Sequence, residues 1–99
     1  MSSQELDDAL LVTNELVANA VDHADTPLVL RVSFTGDAVL LIEVADESVA
    51  EPRLQPFNAA APRGRGLQFV DSLAHRWGWR TYPGGKAVWA EMPAAGAAE

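Results

Sequence analysis

The sequence predicts an α+β fold in which helices cover one face of a mostly antiparallel sheet. Three observations lead to this prediction. The chain has 99 residues, enough for one domain. Two segments have apolar residues at helical spacing, and each of them is followed by a pair of strand-like segments. A helix followed by a hairpin, twice over, favours an antiparallel sheet over a doubly wound parallel one.

The first helix is predicted over residues 2–25. Ser2 and Glu5 have the spacing of a capping box. The residues predicted to form its packed face are Leu6, Leu10, Thr13, Val17, Ala20, Val21 and Ala24. The opposite, polar face is predicted to carry Asp8, Glu15, Asn19 and Asp22. The helix should end before Pro27, because the residue that precedes a proline is pushed out of the helical conformation.

A hairpin and a lid are predicted next. Leu28–Phe34 alternates in character as a strand with one buried face does, and Val39–Ala45 follows after a short turn. Residues 46–65 show no hydrophobic period and contain three prolines. Long loops are uncommon in compact domains and often cover a site. We therefore expect a lid over about residues 47–63.

The rest of the domain is predicted to contain a second helix and a second hairpin. The helix begins at Gly66 and ends at Gly78, and its apolar stripe consists of Leu67, Val70, Leu73, Ala74 and Trp77. Two strands, at residues 79–82 and 86–92, flank a Pro-Gly-Gly turn. The alanine-rich residues 93–99 are predicted to be a disordered tail, which leaves residues 1–92 as a single domain.

Composition excludes several classes of function. The net charge is −7, and residues 1–50 carry ten acidic residues against one basic residue. Such a surface repels nucleic acid, and we expect any anion to bind the more basic second half. The absence of cysteine excludes disulfides, thiolate zinc sites and cysteine nucleophiles. No apolar run is long enough to cross a bilayer, so we expect a cytoplasmic protein without a membrane partner.

Glu15 and Asn19 form the first candidate site. They lie four residues apart, so their side chains project from adjacent turns of one helix face. A carboxylate beside an amide oxygen suits a magnesium site, or a general base next to a metal-bound phosphate. Spacing alone is equally compatible with a solvated helix face.

Gly64, Arg65, Gly66 and Leu67 form the second candidate site, where the lid meets the second helix. Two glycines allow backbone amides to approach an anion closely, and a helix N-terminus adds partial positive charge. The alternative is a flexible joint that carries two surface arginines, Arg63 and Arg65.

Three segments together resemble a known superfamily. Residues 14–24 resemble the N-box of the GHKL ATPases, the superfamily of DNA gyrase, MutL and the sensor histidine kinases. Residues 64–67, with the helix after them, resemble the second glycine box of anti-sigma factor serine kinases, particularly the short actinobacterial ATP-binding regulators. Residues 83–89 resemble the closing hairpin of those proteins. The resemblance spans residues 5–92, with the motifs in the family's order.

The resemblance implies a Bergerat-type fold that binds ATP and magnesium between the sheet and the lid. Asn19 would hold magnesium, Glu15 would be the catalytic base, and Asp46 would accept a hydrogen bond from the adenine amino group. Residues 64–67 would face the phosphates. In a kinase of this type Glu15 would deprotonate a serine of an anti-sigma factor antagonist, while another surface would hold a sigma factor. Protein-serine kinase activity is thus allowed by the resemblance but not established by it.

The sequence departs from the family pattern at three places. The first glycine box reads D-x-G-x-G in relatives, but here Asp46 is followed by Glu47, Ser48, Val49 and Ala50, so side chains stand where glycines are expected. Ala87 stands where relatives usually carry a threonine close to the adenine. The usual strand and helix before the N-box helix are missing, which is expected to expose a sheet edge and to favour a homodimer or other partner.

These departures leave a second hypothesis open. The chain could be an interaction module that has kept the fold and lost nucleotide binding. A histidine-kinase fragment is the less favoured third interpretation, because no helix with a phosphoacceptor histidine precedes the domain.

Overall fold

The structure, a computed structural model, describes residues 1–36, 38–49 and 67–95. The elements in these ranges are α1 (Ser3–His23), β1 (Val29–Phe34), β2 (Val39–Asp46), α2 (Leu67–Leu73), β3 (Arg76–Tyr82) and β4 (Gly85–Pro93). The α+β class is confirmed, and each helix is followed by a hairpin. From residue 50 onward the predicted lid lies outside the described residues.

The four strands form one antiparallel sheet in the order β1-β2-β4-β3. Its two hairpins are joined at the centre, where β2 pairs with β4 along its whole length. This pairing runs from Val39 opposite Pro93 to Asp46 opposite Lys86. A two-layer sandwich results, because both helices pack on the same face of the sheet.

The core of the described residues lies between the helices and that face. Its buried members are Ala9, Val12, Leu16 and Ala20 of α1, Leu40, Ile42 and Val44 of β2, Leu67 and Val70 of α2, and Val88, Ala90 and Met92 of β4. Even-numbered residues of β2 and β4 therefore point toward the helices, and odd-numbered residues point to the opposite face.

The capping box predicted at the start of α1 is confirmed. The Ser2 hydroxyl accepts a hydrogen bond from the Glu5 backbone N–H at 3.1 Å, and the Glu5 carboxylate accepts one from the Ser2 N–H at 2.8 Å. Two backbone donors that the helix leaves without intrahelical partners are thereby satisfied. The helix ends at His23, and the Ala24 N–H still donates to the Ala20 carbonyl.

The buried face of α1 differs from the predicted one. The prediction that Leu6, Leu10 and Val21 pack inward is wrong, because these side chains are 50%, 56% and 52% exposed. The predicted burial of Ala20 and Ala24 is confirmed, but the helix also turns Ala9, Val12 and Leu16 inward. Apolar residues occupy about half of the helix circumference, so the period alone does not select the covered part. Small alanine side chains allow close approach to the sheet and favour the observed orientation.

The boundary between α2 and β3 also differs from the prediction. The helix ends at Leu73, and β3 begins at Arg76, so Gly78 lies inside a strand and does not end a helix. Gly78 lies opposite Trp89, and a Cβ at Gly78 would come within 3.0 Å of that indole ring. A glycine is needed here because the large ring covers its neighbour on the next strand.

The first strand is exposed on both faces, contrary to the predicted single buried face. Leu30, Val32 and Phe34 do point to the helix side, because their partners on β2 are core residues. They remain exposed since α1 packs on β2 and β4, while α2 lies toward β3. Two helices therefore cover only part of a four-stranded sheet.

The end of the described chain is hydrogen-bonded to the domain, although it falls within the predicted disordered tail. Strand β4 extends to Pro93. The Ala94 N–H donates to the Ala38 carbonyl at 2.9 Å, and the Ala95 N–H donates to the Glu5 carboxylate at 3.2 Å. Residues 96–99 lie outside the described residues.

The observed orientation of α1 predicts opposite outcomes for two leucine truncations on the same helix. Leu16→Ala should lower the free energy of unfolding by about 2 to 5 kcal/mol, because Leu16 is 1% exposed and its loss leaves a cavity. Leu10→Ala should change it by no more than about 0.5 kcal/mol, as expected for an exposed site. Urea denaturation followed by tryptophan fluorescence measures both. Equal losses would contradict the described face of α1.

Candidate functional site

Asn19 lies on the edge of α1 and is buried, with 4% of its surface exposed. Its side-chain oxygen, Oδ1, has no hydrogen-bond donor among the described residues. A buried acceptor without a partner costs about 1 to 3 kcal/mol, so an ordered water, a cation or a ligand is expected to meet it. The amide oxygen is also a type of donor that magnesium accepts. Asn19 therefore fits the metal-binding role that the resemblance implies.

Glu15 lies one helical turn before Asn19 and is half-buried. The helix periodicity directs both side chains to the same edge of α1. A half-buried carboxylate keeps access to solvent and to a bound substrate while its position is fixed by the helix. The arrangement allows Glu15 to act as a base beside a ligand held at Asn19.

Asp46 ends β2 and forms a buried ion pair with Lys86 on β4. The Lys86 ammonium lies 3.2 Å from Oδ1 and 3.0 Å from Oδ2 of Asp46, and the lysine and aspartate side chains are 3% and 1% exposed, respectively. Oδ1 also accepts a hydrogen bond from the Ser48 N–H at 2.8 Å. Both carboxylate oxygens are therefore engaged within the protein.

The backbone at Asp46 is held by the turn of the second hairpin. The Tyr82 hydroxyl donates to the Asp46 carbonyl oxygen at 2.5 Å. Gly85 approaches the same oxygen so closely that a Cβ there would lie 2.1 Å from it. Only glycine fits this contact, which fixes the β3–β4 turn against the end of β2.

Lys86 is the site residue that the sequence interpretation missed. It is the only lysine of the chain, and the four residues that follow it in the strand are apolar. That isolation is a signal, because an ammonium group is rarely buried without a paired carboxylate. The predicted antiparallel sheet contains β2 and β4, but only the observed register brings Lys86 opposite Asp46.

Ala87 points away from the helices. It pairs with Ala45 on the opposite face of the sheet, whereas Asp46 and Lys86 point to the helix side. Lys86, and not Ala87, is the residue of β4 that lies beside the Asp46 carboxylate.

The opposite face of the sheet carries a separate charged cluster. Glu43 is buried there between two exposed arginines, with its carboxylate 4.0 Å from the Arg31 guanidinium and 2.5 Å from that of Arg80. An open cavity of about 410 Å³ lies over this cluster. The sheet separates the cavity from Asn19 and Asp46, so it belongs to neither candidate site.

The remaining predicted site residues contribute less to the described geometry. Leu67 is the first residue of α2 and is fully buried in the core, so its side chain is structural. Gly64, Arg65 and Gly66 lie outside the described residues. In the described ranges no three His, Asp or Glu side chains cluster as a metal site, and neither helix is both long and apolar enough to span a bilayer.

Comparison with known protein families shows to which family the chain belongs. The family model of the histidine kinase-like ATPase domain matches residues 1–92. The chain belongs to this family. No curated protein and no solved structure matches the chain. The matched range contains every described helix and nearly all of the sheet, so the resemblance to the GHKL superfamily is confirmed for the domain as a whole.

Membership of the histidine kinase-like ATPase family indicates which kind of group the unpartnered Oδ1 of Asn19 fits. Domains of this family in general use ATP and magnesium. When bound, the nucleotide supplies a transferable phosphoryl group whose charge magnesium neutralises. Asn19 offers a buried oxygen for the cation and Glu15 a carboxylate nearby, whereas Asp46 offers no oxygen that is free of protein partners.

The Asp46–Lys86 pair predicts a large stability change when one partner is removed. Lys86→Met should lower the free energy of unfolding by about 3 to 5 kcal/mol, because it leaves a buried carboxylate without its cation. The double variant with Asp46→Leu should recover most of that loss, since no buried charge remains. Denaturation of the wild type and the three variants forms a double-mutant cycle. Additive effects would show that the pair is not coupled.

Proposed function

We propose that this histidine kinase-like ATPase domain binds ATP with magnesium and acts as a regulatory protein similar to anti-sigma factor serine kinases. The observation that carries the proposal is the buried, unpartnered Oδ1 of Asn19, one turn from Glu15, in a chain of this family. Buried acceptors without a donor are uncommon in folded proteins, so this oxygen supports a ligand at Asn19.

In this proposal, some residues of the chain bind the nucleotide and magnesium, and Glu15 transfers a proton. Asn19 contributes an oxygen ligand at a fixed position on a long helix. Glu15 accepts a proton from the hydroxyl of a partner serine, so that the serine oxygen becomes the nucleophile. The glycine box of residues 64–67 contributes backbone donors to the phosphates. Each of these roles rests on the resemblance together with the described position of α1.

Base recognition by Asp46 requires a change at Lys86. The carboxylate can accept a hydrogen bond from an adenine amino group only if the ammonium releases an oxygen or shares it. Separating a buried ion pair costs free energy that binding has to supply. We therefore expect weak affinity for ATP.

The same ion pair favours a second candidate function, an interaction module that has lost nucleotide binding. In that case Lys86 permanently satisfies the carboxylate that a nucleotide base would otherwise contact. The two functions differ in whether ATP binds at all, so a direct binding measurement separates them.

Calorimetric titration with magnesium ATP tests the main proposal. We expect a dissociation constant of about 0.1 to 1 mM, which corresponds to about 4 to 5.5 kcal/mol. Asn19→Ala should remove the magnesium dependence of binding, whereas Asn14→Ala, an exposed change on the same helix, should leave it intact. Absence of heat and of chemical-shift changes at several millimolar ATP would contradict the proposal and favour the interaction module instead.

The kinase step has its own test at Glu15. Glu15→Gln should keep ATP affinity nearly unchanged and slow phosphoryl transfer to a serine of an antagonist protein by about 10²-fold or more. Asp8→Asn, on the same helix, is the matched control and should slow neither step. The readout is radiolabel transfer from ATP to candidate antagonists of the same cell. If the wild type labels none of them at saturating ATP, the protein is a nucleotide-binding regulator without kinase activity.

The proposed partners are a sigma factor or its antagonist, and a second copy of the chain. The support for self-association is that β1 forms the edge of the sheet and is exposed along its whole length. Edge strands with apolar side chains readily pair with other chains. A homodimer through this edge would extend the sheet across both copies.

A further inference from the structure

An apolar groove lies beside α1 on the side of the sheet that the helices leave open. Its floor is the helix-side face of β1, formed by Leu30, Val32 and Phe34, which are 49%, 51% and 65% exposed. These residues continue the core face of β2 outward by one strand. No element in the described ranges covers them, because α1 packs on β2 and β4.

The wall of the groove is one flank of α1. At about 100° per residue, Leu6, Leu10 and Val21 project on one side of the buried face of α1, and Glu15 and Asn19 project on the other. The Asn19 flank is the covered one, so it faces α2, which packs against α1. The flank with Leu6, Leu10 and Val21 therefore faces β1. Floor and wall together define the α1–β1 groove.

The dimensions of the α1–β1 groove fit one α-helix. The six residues of β1 span about 20 Å, which matches an α-helix of about 14 residues. A helix that lies beside α1 at the usual packing distance of about 8 to 10 Å would rest on β1 and contact both surfaces. Six half-exposed large apolar side chains in one groove are more than a monomer surface normally leaves open.

The charge around the α1–β1 groove decides which kind of helix fits. Residues 1–30 contain no lysine or arginine that could make the border of the groove basic. Two acidic residues, Asp7 and Asp25, are exposed on α1 and on the loop that leads to β1. The first basic residue, Arg31, points to the opposite face of the sheet, where it approaches Glu43. A second copy of α1 would place acidic residues against acidic residues, which disfavours it as the occupant.

We propose that the α1–β1 groove binds an amphipathic helix of a partner protein whose apolar stripe is bordered by lysine and arginine. The apolar stripe packs against the floor and the wall, and the basic borders face the acidic rim. Helix-in-groove recognition of this kind uses residues spaced three and four apart, which match the spacing of a helix-wide groove. The proposal is independent of nucleotide binding, because the groove and Asn19 lie on opposite flanks of α1.

The test uses two synthetic helical peptides of about 18 residues, which span roughly 27 Å. Both have the same leucine stripe, and one has lysine where the other has glutamate at every border position. NMR titration of the isotope-labelled full chain should show saturable binding of the lysine peptide, with shifts confined to α1 and β1. The glutamate peptide should bind at least about tenfold more weakly, because its charges oppose the acidic rim.

Matched variants locate the binding surface. Leu10→Ser and Val32→Ser together should weaken the lysine peptide at least about tenfold, since each removes apolar contact area. Val29→Ser is the control, because Val29 is 55% exposed on the same strand but points to the opposite face. All of these positions are exposed, so the variants should fold, which circular dichroism checks.

Three results would overturn the proposal. Equal affinity for the two peptides would remove the argument from charge. Shifts that map outside α1 and β1, or a Leu10→Ser/Val32→Ser variant that binds as tightly as the wild type, would remove the groove. Sedimentation that shows a dimer whose formation excludes the lysine peptide would identify a second copy as the occupant.

Discussion

The pairing of β2 with β4 is the interaction on which the rest of the structure depends. It joins two hairpins that are distant in sequence, and its two strands supply half of the buried core residues. The same register places Asp46 opposite Lys86 at one end of the sheet. A shift of one residue would turn every core side chain to the solvent face and separate the ion pair, so burial on one face and charge pairing at the end specify the same register.

The two candidate ligand groups of the site differ in their hydrogen bonding. Asn19 keeps a buried oxygen without a donor among the described residues, which stores a cost that a ligand would relieve. Asp46 is in the opposite situation, because Lys86 and the Ser48 N–H already satisfy its oxygens. The part of the site that would hold a cation is therefore ready for a ligand, whereas the part that would contact a base is closed by the protein itself. Weak, magnesium-dependent binding is the behaviour that this combination favours.

Much of the fold could be predicted from the sequence because it depends on local patterns. The capping box at Ser2 and Glu5 and the two hairpins follow from spacing and turn residues, and they are confirmed. The buried face of α1 could not be predicted, since its apolar arc is wider than the surface that one sheet covers. Sequence periodicity describes a helix alone, whereas burial depends on where the neighbouring elements end.

For the candidate site, too, one part could be predicted from the sequence and another could not. The common direction of Glu15 and Asn19 could be predicted, because a four-residue spacing on a helix fixes it. Lys86 could not be predicted, because its importance depends on a register between strands that are far apart in sequence. Only the register shows that Lys86 faces Asp46 while Ala87 points to the opposite side of the sheet, since neighbouring residues of a strand alternate. The common direction of two helix residues follows from their spacing, whereas a contact between paired strands depends on their register.

The two helices cover the sheet on the β3 side and leave β1 uncovered, so the two flanks of α1 have different surroundings. One flank, turned toward α2, carries Glu15 and the buried Asn19; the other carries the exposed leucines above β1. The helix is 21 residues long and continuous, so both flanks belong to one element. Because the two flanks face opposite directions, a partner helix in the α1–β1 groove would not contact a ligand at Asn19. The two proposed binding events therefore use separate surfaces of the same helix and can be tested one at a time.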